Sequence, residues 1–125
     1  MLVPLTIIKE IEVCNVNDEE LGVLARKTFC LITTLGPYAR HGEHAFKACA
    51  EAGTHYLDCT GEVPFTLSMI KKYDAVARES GAWMFPQNGL ESGPSDLLTW
   101  ALVSTIRSEL SSQTGDVVMN LHRNE

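Results

Sequence analysis

Apolar and polar positions along this chain switch repeatedly between a two-residue and a 3.6-residue period. Glu10 to Val16 carries Ile11, Val13 and Val16 among polar neighbours and predicts a strand ending at Asn15-Val16-Asn17. Asn17 or Asp18 then caps a helix, because a short side-chain acceptor satisfies a free backbone N–H there. Glu19 and Glu20 fall in its first turn, where the helix dipole favours negative charge. Leu21, Leu24 and Ala25 supply its apolar face. Phe29 to Leu35 is a continuous run of apolar and threonine residues, the pattern of a strand buried on both faces, and Gly36-Pro37 breaks it. A helix from about Gly42 to Ala52 sets Ala45, Ala48, Cys49 and Ala52 on one side, with Gly53 at its C-terminal cap.

The same unit recurs. Thr54 to Asp58 predicts a short strand, and Val63 to Ser80 a long helix with Phe65, Met69, Ile70, Tyr73, Val76 and Ala77 at helical spacing, closed by Gly81. Ala82 to Pro86 predicts a further strand, and Gln87 to Gly93 a loop. Pro94 suits the first position of a last helix whose apolar stripe is Leu97, Leu98, Ala101, Leu102, Thr105, Ile106 and Leu110. Asp116 to Leu121 predicts a final strand. Strands alternating with helices specify an α/β domain with a mostly parallel sheet of four to five strands and flanking helices. Ligands of such sheets bind beyond the carboxyl ends of the strands, which singles out the loops Gly36 to Gly42, Cys59 to Pro64 and Gln87 to Pro94.

Composition narrows the picture. At 125 residues, 45% hydrophobic and 21% charged, the chain affords one core and one domain. Ten Lys and Arg against sixteen Asp and Glu give a net charge of −6, which disfavours nucleic acid and anionic membrane surfaces as partners. The apolar runs are too short for a membrane span. Met1 to Ile8 has neither a basic region nor a small-residue cleavage site, so no signal peptide is expected. Cys14, Cys30, Cys49 and Cys59 form no CxxC pair and read as reduced thiols of a cytoplasmic protein, with Cys14 and Cys30 in strands.

Several residues could carry chemistry, each beside a plainer role. Gly36-Pro37-Tyr38 ends a strand and opens a helix, whose first N–H groups could hold a phosphate or a ribose hydroxyl; the plainer reading is an ordinary βα turn. Asp58-Cys59-Thr60-Gly61-Glu62 groups two carboxylates, a thiol and a hydroxyl. Asp58 could act as a base and Glu62 could orient a substrate or ribose; alternatively Thr60 caps the next helix and Glu62 serves its dipole. His41, His44 and Cys49 hint at a metal, but no second cluster supplies a matched ligand pair, so none is assigned. His55 and His122 read as structural. The Gly89 to Asp96 loop either closes over a ligand or simply starts a helix. No G-x-S-x-G, Walker or G-x-G-x-x-G motif occurs.

Taken in order, Asn15-Val16-Asn17-Asp18-Glu19-Glu20, Thr34-Leu35-Gly36-Pro37-Tyr38, His41-Gly42-Glu43, Ala48-Cys49-Ala50-Glu51-Ala52-Gly53-Thr54-His55-Tyr56-Leu57-Asp58 and Thr60-Gly61-Glu62 resemble the saccharopine dehydrogenase-like oxidoreductases. The likeness is greatest to the branch that includes the trans-acting enoyl reductases and their fungal homologues. It runs from about Ile11 onward, and Pro94-Ser95-Asp96-Leu97-Leu98 matches the helix after that branch's sixth strand. The resemblance implies an NAD(P)H-dependent oxidoreductase acting on a small molecule, an enoyl or imine compound. It implies that Gly36, Pro37 and Tyr38 line the cofactor groove. It further implies that Thr60, Gly61 and Glu62 lie near the nicotinamide, and that Asn15 stands where the family often has an Asp near the adenine. Tyr38, Glu62 and His41 are candidates for a proton donor; no catalytic residue is assigned.

The chain departs from that family pattern. The first strand, the Gly-rich pyrophosphate loop and the second strand have no counterpart before Ile11, so residues 1–125 resemble part of a Rossmann domain. Weak binding of NAD(P)H is therefore expected. The alternative is a truncated, non-catalytic remnant that binds or scaffolds, or a truncated gene model. Without the missing strands, Phe29 to Leu35 would present an unpaired edge and favour self-association or a protein partner. Leu2 to Ile8, or the strand at Ile11, could cover that edge instead.

Overall fold

A computed structural model describes residues 11–90 and 92–119. Its elements, in chain order, are α1 (Asp18–Arg26), β1 (Cys30–Thr33), α2 (Tyr38–Ala52), β2 (His55–Asp58), α3 (Val63–Ser80), β3 (Met84–Phe85) and α4 (Gly93–Leu110). The strands form one parallel sheet in the order β1-β2-β3. The α/β class and the parallel sheet therefore follow the hydrophobic pattern, with three strands among the described residues.

Two expected strands are not found there. Residues 11–15 have no regular structure, and Ile11 and Val13 stand almost fully exposed, with no neighbouring strand among the described residues to accept their ladder. Alternation alone does not make a strand when nothing pairs with it. Residues 111–119 are likewise irregular, and the last two residues of the strand expected at Asp116 to Leu121 lie outside the described residues, as does Leu2 to Ile8. Cys14 accordingly lies outside any strand, whereas Cys30 opens β1; all four cysteines are unpaired.

The core lies on one side of the sheet. Leu31, Tyr56 and Met84 stand in register on the three strands; Tyr56 belongs to one buried cluster with Phe46, Ala48, Cys49, Phe65 and Met69, and Leu31 and Met84 pack against that cluster. The Phe46 and Tyr56 rings meet edge to face at 4.8 Å. α2 is the central helix, packed between α1 and α3. Side-chain hydroxyls tie these layers: Thr54 Oγ1 donates to the Ala25 carbonyl at 2.6 Å and Ser80 Oγ to the Ala50 carbonyl at 2.5 Å. α1 starts as its sequence dictates, with Asn17 accepting from the Glu20 N–H at 2.8 Å.

The opposite face differs from expectation. Ile32, on the strand expected to be buried on both sides, is largely exposed, as are Phe29 and Phe85. α4 buries no residue despite its apolar stripe. Among the described residues no helix is long and apolar enough to cross a membrane.

Two consequences can be measured. Gly53 ends α2 in the left-handed region (φ 74°), and a Cβ there would meet the Ser80 carbonyl oxygen at 2.9 Å. Gly53→Ala should cost about 1–3 kcal/mol in urea denaturation. The chain's three tyrosines, Tyr38, Tyr56 and Tyr73, all sit in or against the core. Burial pushes all three phenols up, to about 12 for Tyr38 and Tyr73, with Cys59, Asp58 and Glu43 respectively adding to the effect at Tyr38, Tyr56 and Tyr73. Between the ordinary tyrosine value of 10.0 and about 12, the unfolded chain loses protons that the folded chain keeps. Through these phenols stability should thus fall above pH ~10, with tyrosinate absorbance rising together with unfolding rather than before it.

Candidate functional site at the strand ends

The loops after β1, β2 and β3 meet at the carboxyl end of the sheet, and Asp58 organises them. Its side chain is 2% exposed. One carboxylate oxygen accepts from the Tyr56 hydroxyl at 2.8 Å; the other accepts from the backbone N–H groups of Thr60 at 3.0 Å and Gln87 at 2.8 Å. The Asp58 carbonyl accepts from the Asn88 N–H at 2.9 Å. Asp58 is therefore an acceptor engaged by four donors, three on its side chain and one on its carbonyl, that fastens the second and third loops together. Gly89 completes the contact, since a Cβ there would lie 2.8 Å from the Cys59 carbonyl oxygen. The third loop thus packs on the second as well as starting α4.

Glu62 joins the second loop to the first. Its two carboxylate oxygens accept from the Tyr38 N–H at 2.7 Å and the Ala39 N–H at 2.8 Å, the first two amides of α2. The next two, of Arg40 and His41, bond to the Pro37 carbonyl. α2 consequently begins at Tyr38, four residues before the position its apolar periodicity marks. Pro37 sets the backbone at the cap, and a carboxylate from 24 residues away replaces the missing side-chain cap. Thr60, 1% exposed, accepts the Glu62 N–H at 3.0 Å and so aims that carboxylate. The expected roles are redistributed: Thr60 shapes the turn before α3, and Glu62 serves the dipole of α2.

Gly36, Pro37, Tyr38, Thr60, Gly61 and Glu62 are therefore brought into one cluster. Asn15 is engaged elsewhere, donating its N–H and its side-chain amide to the Glu20 carboxylate at 2.7 and 2.8 Å. Tyr38 is buried, donates its hydroxyl to the Thr33 carbonyl at 2.8 Å and stands 3.4 Å from the Cys59 sulfur. His41 is exposed. The His41–Cys49 stretch divides its side chains among other partners: His44 pairs with Asp18, and Glu43 accepts from Lys72 and Tyr73. Among the described residues, no three His, Cys, Asp or Glu side chains converge as a metal site.

The clamp by Asp58 and the exposed thiol of Cys59 beside Tyr38 are the features that pattern reading missed. An Asp followed two residues later by a turn N–H is an Asx-turn signature, which could have flagged the first. A groove of about 720 Å³ adjoins the third loop, lined in part by Gln87, Asn88, Ser92, Ser95 and Asp96. Another, of about 700 Å³, lies away from the cluster between α3 and β3, against Ile70, Tyr73 and Trp83.

Because Glu62 fills the anion position of α2, its removal should be visible in two ways. Glu62→Ala should lower stability by about 1–2 kcal/mol. Sulfate at tens of millimolar should then raise the melting temperature of Glu62→Ala more than that of the unsubstituted chain, by occupying the vacated amides. Equal sulfate responses would show that the carboxylate does not control that position.

The chain is similar to proteins of mycobacteria. It is 37% identical over 97 residues to the trans-acting enoyl reductase of Mycobacterium bovis (strain BCG / Pasteur 1173P2), a match covering 78% of this chain and 22% of that protein. It is 42% identical over 77 residues to the trans-acting enoyl reductase of Mycobacterium ulcerans (strain Agy99), covering 62% of this chain and 18% of that protein. No family model and no solved structure matches the chain. The chain spans less than a quarter of the length of these curated relatives, and its homologues carry the name of a reductase.

Proposed function

We propose that this chain forms one wall of the active-site cleft of an NAD(P)H-dependent oxidoreductase of the saccharopine dehydrogenase-like kind, a Rossmann-like reductase of enoyl or imine compounds. The observation that carries this reading is the 37% identity over 97 residues to a protein named trans-acting enoyl reductase. The matched stretch accounts for most of a chain whose strand-end loops converge where α/β sheets take their ligands. In this reading the chain works in the cytoplasm, where its four unpaired cysteines stay reduced.

The residues present fit the cofactor only in part. The α2 amides that would receive a phosphate already hold the Glu62 carboxylate, and a second anion beside it would meet like charge. The diphosphate of NAD(P)H does not fit there. Gly36, Pro37, Thr60 and Gly61 are left as backbone that can lie against a ring or a ribose, with Tyr38 and Glu62 holding that backbone in place. Asn15, on the approach to α1, would serve the adenine end. A second reading, a binding module without catalysis, draws on the same plugged helix terminus.

A chimera separates the two. The matching 97 residues of the M. bovis protein are replaced by this chain's, and NADPH oxidation with an enoyl substrate is followed. Activity within about tenfold of the parent supports the reductase reading; loss of activity in a folded chimera favours the binding module. The 125-residue chain alone should bind NADPH with a dissociation constant above ~100 µM, and a low-micromolar value would contradict the partial fit.

A further inference from the structure

β3 is the shortest strand, two residues paired with β2 through Tyr56 with Met84 and Leu57 with Phe85. So short a ladder leaves much of the strand's hold to its flanks, and side chains from the two ends of β2 (His55–Asp58) supply it. Just past β3, the Asp58 carboxylate accepts from the Gln87 N–H at 2.8 Å and the Asp58 carbonyl from the Asn88 N–H at 2.9 Å. Just before β3, the His55 ring nitrogen Nδ1 accepts from the Trp83 N–H at 3.1 Å, while the Tyr56 N–H donates to the Trp83 carbonyl at 2.9 Å. The residue before Trp83 is tied to α3 instead, Ala82 donating its N–H to the Ala77 carbonyl at 2.9 Å.

The two ends differ in chemistry. An imidazole accepts at Nδ1 only when it is neutral, with its proton on Nε2; once charged, both ring nitrogens are donors. Protonation of His55 therefore sets a ring N–H against the Trp83 N–H and removes the bond. Nothing beside the ring compensates the charge. From β1 it meets the Phe29 ring, edge to face at 4.6 Å, and the Cys30 position in register; from β3 it meets the Trp83 ring at 6.2 Å. Among the described residues the ring has no ion-pair partner and no second hydrogen bond.

We propose that His55 is an acid-sensitive pin of the third strand: protonating its ring frees the start of β3, while Asp58 keeps hold of the loop beyond the strand's end. The freed stretch is short, bounded by Ala82 on α3 and by Gln87 on Asp58. Histidine is the side chain that ordinarily changes charge between pH ~5 and ~8, a range in which ordinary carboxylates stay ionised, so the two pins part company there. The device belongs to the sheet itself and does not depend on the reductase reading.

Hydrogen exchange of the ¹⁵N-labelled 125-residue chain at pH ~7.5 and ~5.5 tests this. Each rate is expressed as protection against the unfolded-chain rate at the same pH. Protection of the Trp83 and Tyr56 amides, which both bridge β2 and Trp83, should fall about threefold to tenfold on acidification, the range of one lost hydrogen bond. That of the Asn88 amide, held by the Asp58 carbonyl, should stay constant. The chain's other histidines titrate over the same range, so two variants carry the attribution. His55→Asn places an uncharged amide oxygen at the same distance along the side chain and should keep protection high at both pH values. His55→Phe keeps a ring without an acceptor and should show the low protection at both. Equal protection of Trp83 at the two pH values in the unsubstituted chain overturns the proposal. So does a fall of the same size in His55→Asn, or full protection at pH ~7.5 in His55→Phe.

Discussion

A carboxylate taken out of water must be met by donors, and around Asp58 that requirement shapes the strand ends. The Tyr56 hydroxyl and the N–H groups of Thr60 and Gln87 all turn toward it. Meeting it fixes the path of the chain after β2 and after β3 at once. Thr60, so placed, accepts from Glu62, and Glu62 is thereby presented to the first amides of α2. A single run of hydrogen bonds leads from the core ring of Tyr56 to the start of the central helix. The cluster is preorganised because each member's position is set by the one before it, and little of it is free to reorient toward a ligand.

The elements most legible in the sequence are those whose signals are local. Val63–Ser80 is bounded by Pro64 near its start and Gly81 after its end, and the helix occupies that span. Asn17 caps α1 as a short acceptor should. The strands are shorter than their apolar runs, since a ladder extends only as far as its partner does: β3 pairs over Met84 and Phe85 alone. Ile11 and Val13 alternate as a strand would, yet no strand pairs with them among the described residues. Alternation reports a preference for a pleated surface and says nothing of whether the neighbour is there.

The site was legible at the level of loops and not of roles. The three loops could be marked because parallel sheets collect function at their carboxyl ends. That Glu62 serves α2 and not α3 depends on a contact across 24 residues, which no local pattern encodes. The same limit applies to the exposed Ile32: hydrophobicity predicted burial on both sides of β1, and one side has no cover among the described elements. The four apolar residues at Leu97, Leu98, Ala101 and Leu102 point the same way, since their helix has an apolar stripe and no buried residue.

The β1-β2-β3 order has a consequence for how the chain reaches this state. Among the described residues, each strand pairs with the next one in sequence across a single helix. Loop closure is then repeated over short, similar intervals, whose entropic cost grows only slowly with length. A growing chain can add each strand–helix unit to the one already formed, and the central α2 has its packing surfaces on both sides once α3 has emerged.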